Sequence, residues 1–354
     1  MTTMPSSKED GTTAAAEQLG SISLGWSAER KDNDATKNSN AVAAKKMCSA
    51  CGKESDALKK CTACKSVWYC DKECQKKHRK EHKKECKLIK EVLDKRGGKL
   101  DLGTELDVGP LGKVPQREEC PICMRVLPLH PNLQSYWPCC GNTLCSGCDL
   151  QHLIKNEELA DTCAFCRTAV EKSGEEVLTR VRKRIERNDP IGMVLMSSYY
   201  QKGQHGLLVD EAKCVELMRL SADLGYPPAQ YQLGCFYRIG EMGLEQNDEE
   251  ALKCWEKAAE NGHIVSLHNL GSEAAKSGDD VAAMRHLRLS ASGGMRKSMS
   301  NLIQGFERGL LNHADLAETL QAMYRSTSEM RSQDRDQYIK HLKRTGKYAE
   351  EYGW

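Results

Sequence analysis

The sequence lacks any run of eighteen apolar residues, so no membrane-spanning helix is expected. Its first residues, MTTMPSSKEDGTT, have neither the basic end nor the apolar core of a secretory signal. We therefore expect an intracellular protein that acts in the cytoplasm, the nucleus or both, with no membrane partner. In such a reducing compartment, paired cysteines indicate metal binding more often than disulfides.

Cysteine is abundant, with 18 in 354 residues, and 15 of them lie between Cys48 and Cys166. The other three, Cys214, Cys235 and Cys254, are scattered through helical sequence. We expect these three to be core residues of helices rather than ligands or nucleophiles. The length of the chain allows two or three domains.

Eight metal-type ligands form four pairs in the first cysteine cluster. The pairs are Cys48 and Cys51, Cys61 and Cys64, Cys70 and Cys74, and His82 and Cys86. Two cysteines two residues apart can point at one ion across a tight turn, and each pair supplies half of a tetrahedral zinc shell. Four pairs therefore predict two closed zinc sites. Metal binding would supply the folding free energy of so small a module.

These spacings, together with the segment VWYCDKECQKKHRKEHKKEC, resemble a MYND-type zinc finger, in which that segment forms a strand and then a helix. The resemblance implies one zinc ion held by Cys48, Cys51, Cys70 and Cys74. It implies a second zinc ion held by Cys61, Cys64, His82 and Cys86. His78, one helical turn before His82, is expected on a solvated helix face.

MYND fingers recognise short proline-containing peptides in a groove near their helix. The resemblance places Gln75 at a peptide-contact position of that groove. Arg79 stands where the family often has tryptophan, so the sequence departs from the usual groove at this position.

A second cluster contains CPIC, WPCCGNTLCSGC and CAFCR, and it resembles a RING finger, which also binds two zinc ions. The resemblance implies one site formed by Cys120, Cys123, Cys145 and Cys148. It implies another formed by Cys139, Cys140, Cys163 and Cys166. Asn142 stands at the histidine of the family, so Cys139 is the expected replacement, and His130 and His152 are fallback ligands. The two clusters together predict four zinc ions.

RING fingers dock a ubiquitin-conjugating enzyme, which carries out the chemistry itself. The resemblance implies that Ile122 and Leu153 contact that enzyme and that Arg167 orders ubiquitin. Ala164 replaces a proline that active members often carry. Ligase activity is therefore one hypothesis, and contact with partner proteins in a scaffold is the other.

The last region of the chain, from about residue 190, is repetitive. A segment that starts at Gly192 aligns with one that starts at Ala229 at an offset of 37 residues, with Gly203 on Gly240 and Gly225 on Gly262. A third, shorter copy follows. Each copy predicts one helical hairpin, and such hairpins stack into a solenoid. The pieces YQLGCFYRIG and ALKCWEKAAENGH resemble Sel-one-like repeats, which are relatives of the tetratricopeptide family. The concave face of such a solenoid binds proteins.

The predicted fold class is multidomain, with two small cross-braced zinc modules before an all-α helical-repeat solenoid. The expected segments are a disordered tail (1–44), a MYND-type finger (45–90), a linker (91–117), a RING-like finger (118–170), a helical connector (171–189), the repeats (190–295), and a degenerate repeat with a helical cap (296–354).

Three functions fit this organisation. The first is a zinc-binding scaffold whose fingers contact partner proteins while the solenoid holds a client. The second is a RING-type ubiquitin ligase in which the solenoid binds the substrate. The third, a nucleic-acid-associated regulator, depends on 18 Lys and Arg against 8 Asp and Glu in residues 45–99. A solvated lysine-rich helix explains that excess better, because only Trp68 and Tyr69 accompany it as aromatic residues.

Overall fold

The computed structural model describes residues 46–113, 117–155, 159 and 161–346. The tail predicted at 1–44 lies outside the described residues. Within the described part of the chain, no helix is both long enough and apolar enough to cross a membrane. The order of elements confirms the predicted fold class, because a cysteine-rich region precedes a region that is almost entirely helical.

The first finger comprises residues 46–98. Strand β1 (Lys59–Lys60) pairs with β2 (Trp68–Tyr69), and helix α1 (Lys72–Lys95) follows. Asp71 ends the loop and begins the helix, because its carboxylate accepts a hydrogen bond from the Cys74 backbone N–H. The predicted order of strand and helix is confirmed. Helix α1 runs to Lys95, beyond the boundary expected at residue 90.

The second finger comprises residues 117–171. A hairpin of β3 (Gln134–Trp137) and β4 (Asn142–Cys145) leads into helix α2 (Ser146–Lys155). A single 3₁₀ turn (Pro131–Leu133) precedes the hairpin. Cys145 ends β4 and Cys148 lies in the first turn of α2, so the strand and the helix together place this pair.

Ten helices follow the second finger in the part of the chain that the structure describes. They are α3 (Gly174–Ile185), α4 (Pro190–Lys202), α5 (Glu211–Asp223), α6 (Pro227–Ile239), α7 (Asp248–Glu260), α8 (Ile264–Ser277), α9 (Asp280–Ser292), α10 (Arg296–Glu307), α11 (His313–Met330) and α12 (Gln333–Arg344). Consecutive helices from α3 to α10 pack on one another, which is the stacking of a solenoid.

The repeat offset of 37 residues is visible in the backbone. Helices α4 and α6 begin and end 37 residues apart, as do α5 and α7. Gly203 and Gly240 end the first helix of their hairpins in the left-handed conformation, with φ of 63° and 77°. Gly234 permits the close approach of the two helices of its hairpin, since a Cβ there would lie 2.6 Å from Trp255.

Segment 99–113, which we call the strap, has no helix or strand but packs against the C-terminal helices. Val108 is buried, and its carbonyl accepts a hydrogen bond from Arg285 of α9. The Gly109 carbonyl accepts one from Arg288, a buried arginine that also pairs with Asp315 and Glu318. The strap therefore follows a fixed path along the solenoid between the two fingers.

One hydrophobic cluster joins the first finger to the end of the solenoid. It contains Val67 and Ile89 from the finger together with Leu302, Leu316 and Leu320 from α10 and α11. The second finger contacts helices at both ends of the solenoid, through Tyr136 at α3 and α4 and through α2 at α12. Both fingers are thus packed on the helices rather than separated from them.

Candidate metal centres

Four C-x2-C turns share one backbone conformation. In the turn that starts at Cys61, the N–H of Cys61 bonds to the Val67 carbonyl and the N–H of Lys65 bonds back to the Cys61 carbonyl. The same hydrogen bond, from the N–H of the residue after the second cysteine to the carbonyl of the first, recurs in the turns that start at Cys48, Cys120 and Cys163. In each turn the residue after the second cysteine has positive φ: Gly52, Lys65, Met124 and Arg167, at 75°, 57°, 51° and 62°. This turn points both thiols of a pair to one side.

The structure brings the predicted ligands together in four groups of four. The groups are Cys48, Cys51, Cys70 and Cys74; Cys61, Cys64, His82 and Cys86; Cys120, Cys123, Cys145 and Cys148; and Cys139, Cys140, Cys163 and Cys166. Within each group all ligand atoms lie within 4.8 Å of one another. The fallback residues His130 and His152 belong to none of these groups.

The distances fit zinc better than disulfides. All 18 cysteines are free, and the sulfur pairs Cys51–Cys70, Cys61–Cys86 and Cys140–Cys163 are 3.6, 3.8 and 3.9 Å apart. A tetrahedron with Zn–S bonds of about 2.3 Å has an edge of about 3.8 Å, whereas a disulfide bond measures about 2.05 Å. The residues present therefore fit zinc, which would hold each finger's loops in place when bound.

His82 is oriented by residues from the far end of the chain. The Tyr324 hydroxyl donates to Glu85 Oε2 at 3.1 Å and lies 3.1 Å from His82 Nδ1. Because the only hydrogen of that hydroxyl is used in the bond to the carboxylate, the hydroxyl oxygen accepts a hydrogen bond from Nδ1–H of His82. Nε2 is then free of hydrogen and faces Cys64 Sγ at 3.3 Å, as a zinc ligand requires. Arg296 completes the chain by pairing with Glu85 at 2.6 Å.

The cysteine turn of the first finger is also fixed from α11. His313 Nε2 lies 3.1 Å from both the Cys64 carbonyl and the Ser66 hydroxyl. Gln321 donates to the Ser66 carbonyl at 3.2 Å. The second group of ligands thus lies beside polar contacts from residues that are 247 to 255 positions away in sequence.

The prediction that His78 lies on a solvated face is wrong. His78 is buried, stacks on His82 and meets the Tyr324 ring edge-on with centroids 4.4 Å apart. Burial lowers the pKa of His78 to about 4, so its ring is neutral. The face is buried because α11 covers it, a contact that the local sequence does not reveal.

Residues 48–86 match the family model of the MYND finger. The first finger is a MYND finger. This match implies zinc binding and confirms the resemblance seen in the sequence. In the MYND finger, Gln75 is half-buried and Arg79 is exposed on α1.

Residues 190–226 and 227–263 match the model of the Sel1 repeat, which confirms the resemblance of the solenoid. A third hairpin, α8 with α9, continues the stack beyond these two matches. MYND fingers and Sel1 repeats are generally protein-interaction modules, so together they support a zinc-binding protein-interaction scaffold.

Two curated fungal proteins are similar to parts of the chain. The chitin synthase regulator SKT5 of Malassezia restricta is 25% identical over 154 residues, which are 42% of this chain and 11% of the relative. Chitin synthase regulatory factor 2 of Schizosaccharomyces pombe is 29% identical over 105 residues, or 28% of this chain and 20% of the relative. The chain thus spans a fifth or less of the length of either relative.

Among solved structures, the chain is similar to a Sel1 repeat protein from Oxalobacter formigenes, with 25% identity and a TM-score of 0.35. That match covers 36% of this chain and 98% of the other. A protective antigen of uropathogenic Escherichia coli with an SLR fold gives 20% identity and a TM-score of 0.37. It covers 58% of this chain and 51% of the other.

In the second finger, the residues expected to contact a conjugating enzyme have different environments. Ile122 is 42% exposed, whereas Leu153 is half-buried on α2. Arg167 is exposed and places its guanidinium 2.8 Å from His152 Nδ1. Sequence reasoning missed Phe165, which is 46% exposed in the same turn as Arg167.

The three cysteines outside the fingers lie within the repeats. Cys214 is fully buried, and its thiol lies 3.2 Å from the Ser197 hydroxyl. Cys235 and Cys254 are partly buried, and burial raises the pKa of all three thiols. No metal-type group in the described residues includes them.

Replacing Tyr324 with Phe tests the link between His82 and Glu85. We expect the free energy of unfolding to fall by about 1–3 kcal/mol, since a buried carboxylate loses a hydrogen bond. We also expect faster transfer of zinc to a chelator. Urea unfolding and chelator competition measure these changes. Tyr237→Phe, which removes a hydroxyl bonded to Arg219 within the repeats, is the matched control. Equal zinc release from the two variants would contradict the prediction.

Native mass spectrometry of the full chain should find four zinc ions. Cys139→Ser should leave three, because serine is a poor substitute for a thiolate ligand. Cys254→Ser, which changes a cysteine outside the fingers, should keep all four. If Cys139→Ser also keeps four, Cys139 is not a ligand.

Proposed function

We propose that the protein is a zinc-dependent scaffold whose first two repeats bind a partner while the fingers are held against the last helices. The ligand sets of the four zinc ions belong to this proposal. The observation that carries it is the distribution of exposed apolar side chains. Leu208, Val209 and Ile239 are 86%, 62% and 63% exposed, and all three lie at the hairpin-loop edge of the first two repeats. We call them the loop-edge patch.

The loop-edge patch belongs to two stacked hairpins. Leu208 and Val209 lie in the loop between α4 and α5, and Ile239 is the last residue of α6. The loop after α6 lies next to the first residue of α5, since a Cβ at Gly243 would lie 3.7 Å from Glu211 Oε2. Exposed apolar side chains along one edge of a domain are typical of protein-binding surfaces. The partner is therefore a protein with an apolar contact surface.

The names of the two curated relatives describe regulators of chitin synthase. By analogy, the partner of this chain would be an enzyme or an enzyme complex that the scaffold regulates. Because the shared length is short, the analogy concerns only how the protein would act, by binding a partner. That binding would take place at the loop-edge patch.

Replacing Leu208, Val209 and Ile239 with serine should abolish capture of partner proteins by the tagged full chain. The zinc content and the unfolding midpoint should stay at wild-type values, because these side chains are exposed. Quantitative mass spectrometry of captured proteins measures the loss. Changing Gln204 and Glu245 on the same edge to serine is the control. If the apolar variant captures the same proteins as the control, the patch is not the binding surface.

Deletion of residues 190–354 would be a less clear test of whether the repeats bind the partner. It removes α11 and α12, which contact both fingers, and would therefore disturb the metal centres together with the repeats. Point variants at exposed positions change the surface alone.

A second candidate function, RING-type ubiquitin ligation, is favoured by the exposure of Ile122 and Phe165. Both lie on the cysteine turns of the second finger. Helix α12 packs near Gly147 and reaches Cys123 through Arg335, yet Ile122 stays 42% exposed. Ile122 therefore remains accessible to a conjugating enzyme. The finger would position the enzyme, and the chemistry would remain that of the conjugating enzyme.

The zinc-loaded full chain should discharge ubiquitin from at least one loaded conjugating enzyme in a broad panel if the ligase hypothesis is correct. Ile122→Ala should lower that rate by about tenfold or more, because interface anchors contribute at least about 1.4 kcal/mol. Ile239→Ala, which changes a more exposed isoleucine on the repeats, should leave the rate unchanged. The absence of discharge across the panel, with zinc content intact, would rule out this function.

A further inference from the structure

The second finger is attached to the first helices of the solenoid through its β-hairpin. The Tyr136 hydroxyl of β3 donates to Asp189 Oδ2 at 2.6 Å, and Asp189 is the N-cap of α4. Arg184 of α3 donates through Nε to the Pro138 carbonyl at 2.6 Å. The Tyr136 ring also packs against Leu178 and Val181 of α3.

The same finger is attached through α2 to α12, the C-terminal helix of the described residues. A Cβ at Gly147 would lie 2.7 Å from the Arg335 backbone nitrogen, so α2 and α12 meet backbone to backbone. Arg335, which is 3% exposed, donates to the Val126 carbonyl at 2.6 Å. Gln151 and Gln337 are hydrogen-bonded across the same contact at 2.7 Å.

Each attachment lies beside one of the cysteine groups. The Arg335 guanidinium lies 3.5 Å from Cys123 Sγ, a member of the third group. The Arg184 guanidinium covers Gly141, directly after Cys140, because a Cβ there would lie 2.6 Å from its Nη1. Pro138, which accepts from Arg184, directly precedes Cys139.

Neither arginine has a carboxylate partner among the ion pairs of the described residues. Arg335 is almost fully buried, and a buried guanidinium needs a counter-charge. A zinc ion with four thiolates carries a net charge of about −2. A loaded third group therefore supplies that counter-charge for Arg335, and a loaded fourth group lies beside Arg184 at the opposite attachment.

We propose that the second finger is an intramolecular clasp that joins the first helices of the solenoid to the C-terminal helix α12, and that its zinc ions keep the clasp closed. The inference rests on the proposed binding of two zinc ions by this finger. The finger has only a small cluster of buried apolar residues, so its loops depend on metal for their structure. Loss of zinc would release both attachments together and free α12 from the start of the solenoid.

The first test removes metal from the finger of the full chain. Cys120→Ser with Cys123→Ser, and separately Cys163→Ser with Cys166→Ser, should each speed amide hydrogen exchange in α3 and α12 by about tenfold or more. Helices α6 and α7, in the middle of the solenoid, should exchange at wild-type rates and serve as the internal control. Wild-type exchange in α3 and α12 of both variants would overturn the clasp.

The second test leaves every cysteine in place. Arg335→Met should speed zinc release to a chelator by about tenfold, because it removes a buried cation beside the third group. Arg335→Lys should restore part of the wild-type rate. Arg238→Met, which breaks ion pairs with Asp248 and Glu273 inside the repeats, is the matched control. Equal release from Arg335→Met and Arg238→Met would overturn the coupling.

Native mass spectrometry of the same samples separates the two proposals. A wild-type chain with only two zinc ions overturns both the four-ion proposal and the clasp. A wild-type chain with four ions, whose α3 and α12 exchange normally after the second finger is emptied, overturns the clasp alone. A wild-type chain with four ions, together with faster exchange in both α3 and α12 after the second finger is emptied, supports both the four-ion proposal and the clasp.

Discussion

The MYND finger does not bury its apolar side chains within its own residues, and this constraint determines much of the structure. Its inner helix face, which includes Ile89 and Leu93, is covered by α10 and α11 of the solenoid. A segment of this size encloses too small a core to be stable without metal or a neighbour. Here it has the ligands for metal and also a neighbour, so its orientation is fixed relative to the last helices.

The same contact surface contains charges that are stable only when they are paired. Glu85 is buried on α1 and is satisfied by Arg296 and by the Tyr324 hydroxyl. Arg288 is buried under the strap and is satisfied by Asp315 and Glu318. Removal of one partner from such a buried pair costs about 3–5 kcal/mol. Polar contacts of this kind specify one arrangement of strap, finger and helices, whereas apolar contacts alone would allow several.

The sequence predicts what is local and misses what is distant. A few neighbouring residues are enough to identify the C-x2-C turns and the helix after Asp71. The 37-residue spacing is likewise enough to identify the repeats. Tyr324 and His82 are 242 residues apart, and nothing near either residue indicates that they meet. For the same reason His78 was expected in solvent, although the Tyr324 ring covers it. Burial of a helix face depends on its neighbour, which a single sequence does not identify.

The two ends of the solenoid have different neighbours, and this difference explains how the repeats diverge. The first two hairpins have eight-residue loops between their helices and match the family model, whereas only two residues separate α8 from α9. Helix α9 contacts the strap through Arg285 and Arg288, and α11 contacts the MYND finger. Residues that serve these internal contacts are constrained by the fingers rather than by the repeat pattern. The hairpins that retain the pattern are those whose loop edge is exposed, so the proposed partner surface lies away from the helices that contact the strap and the MYND finger.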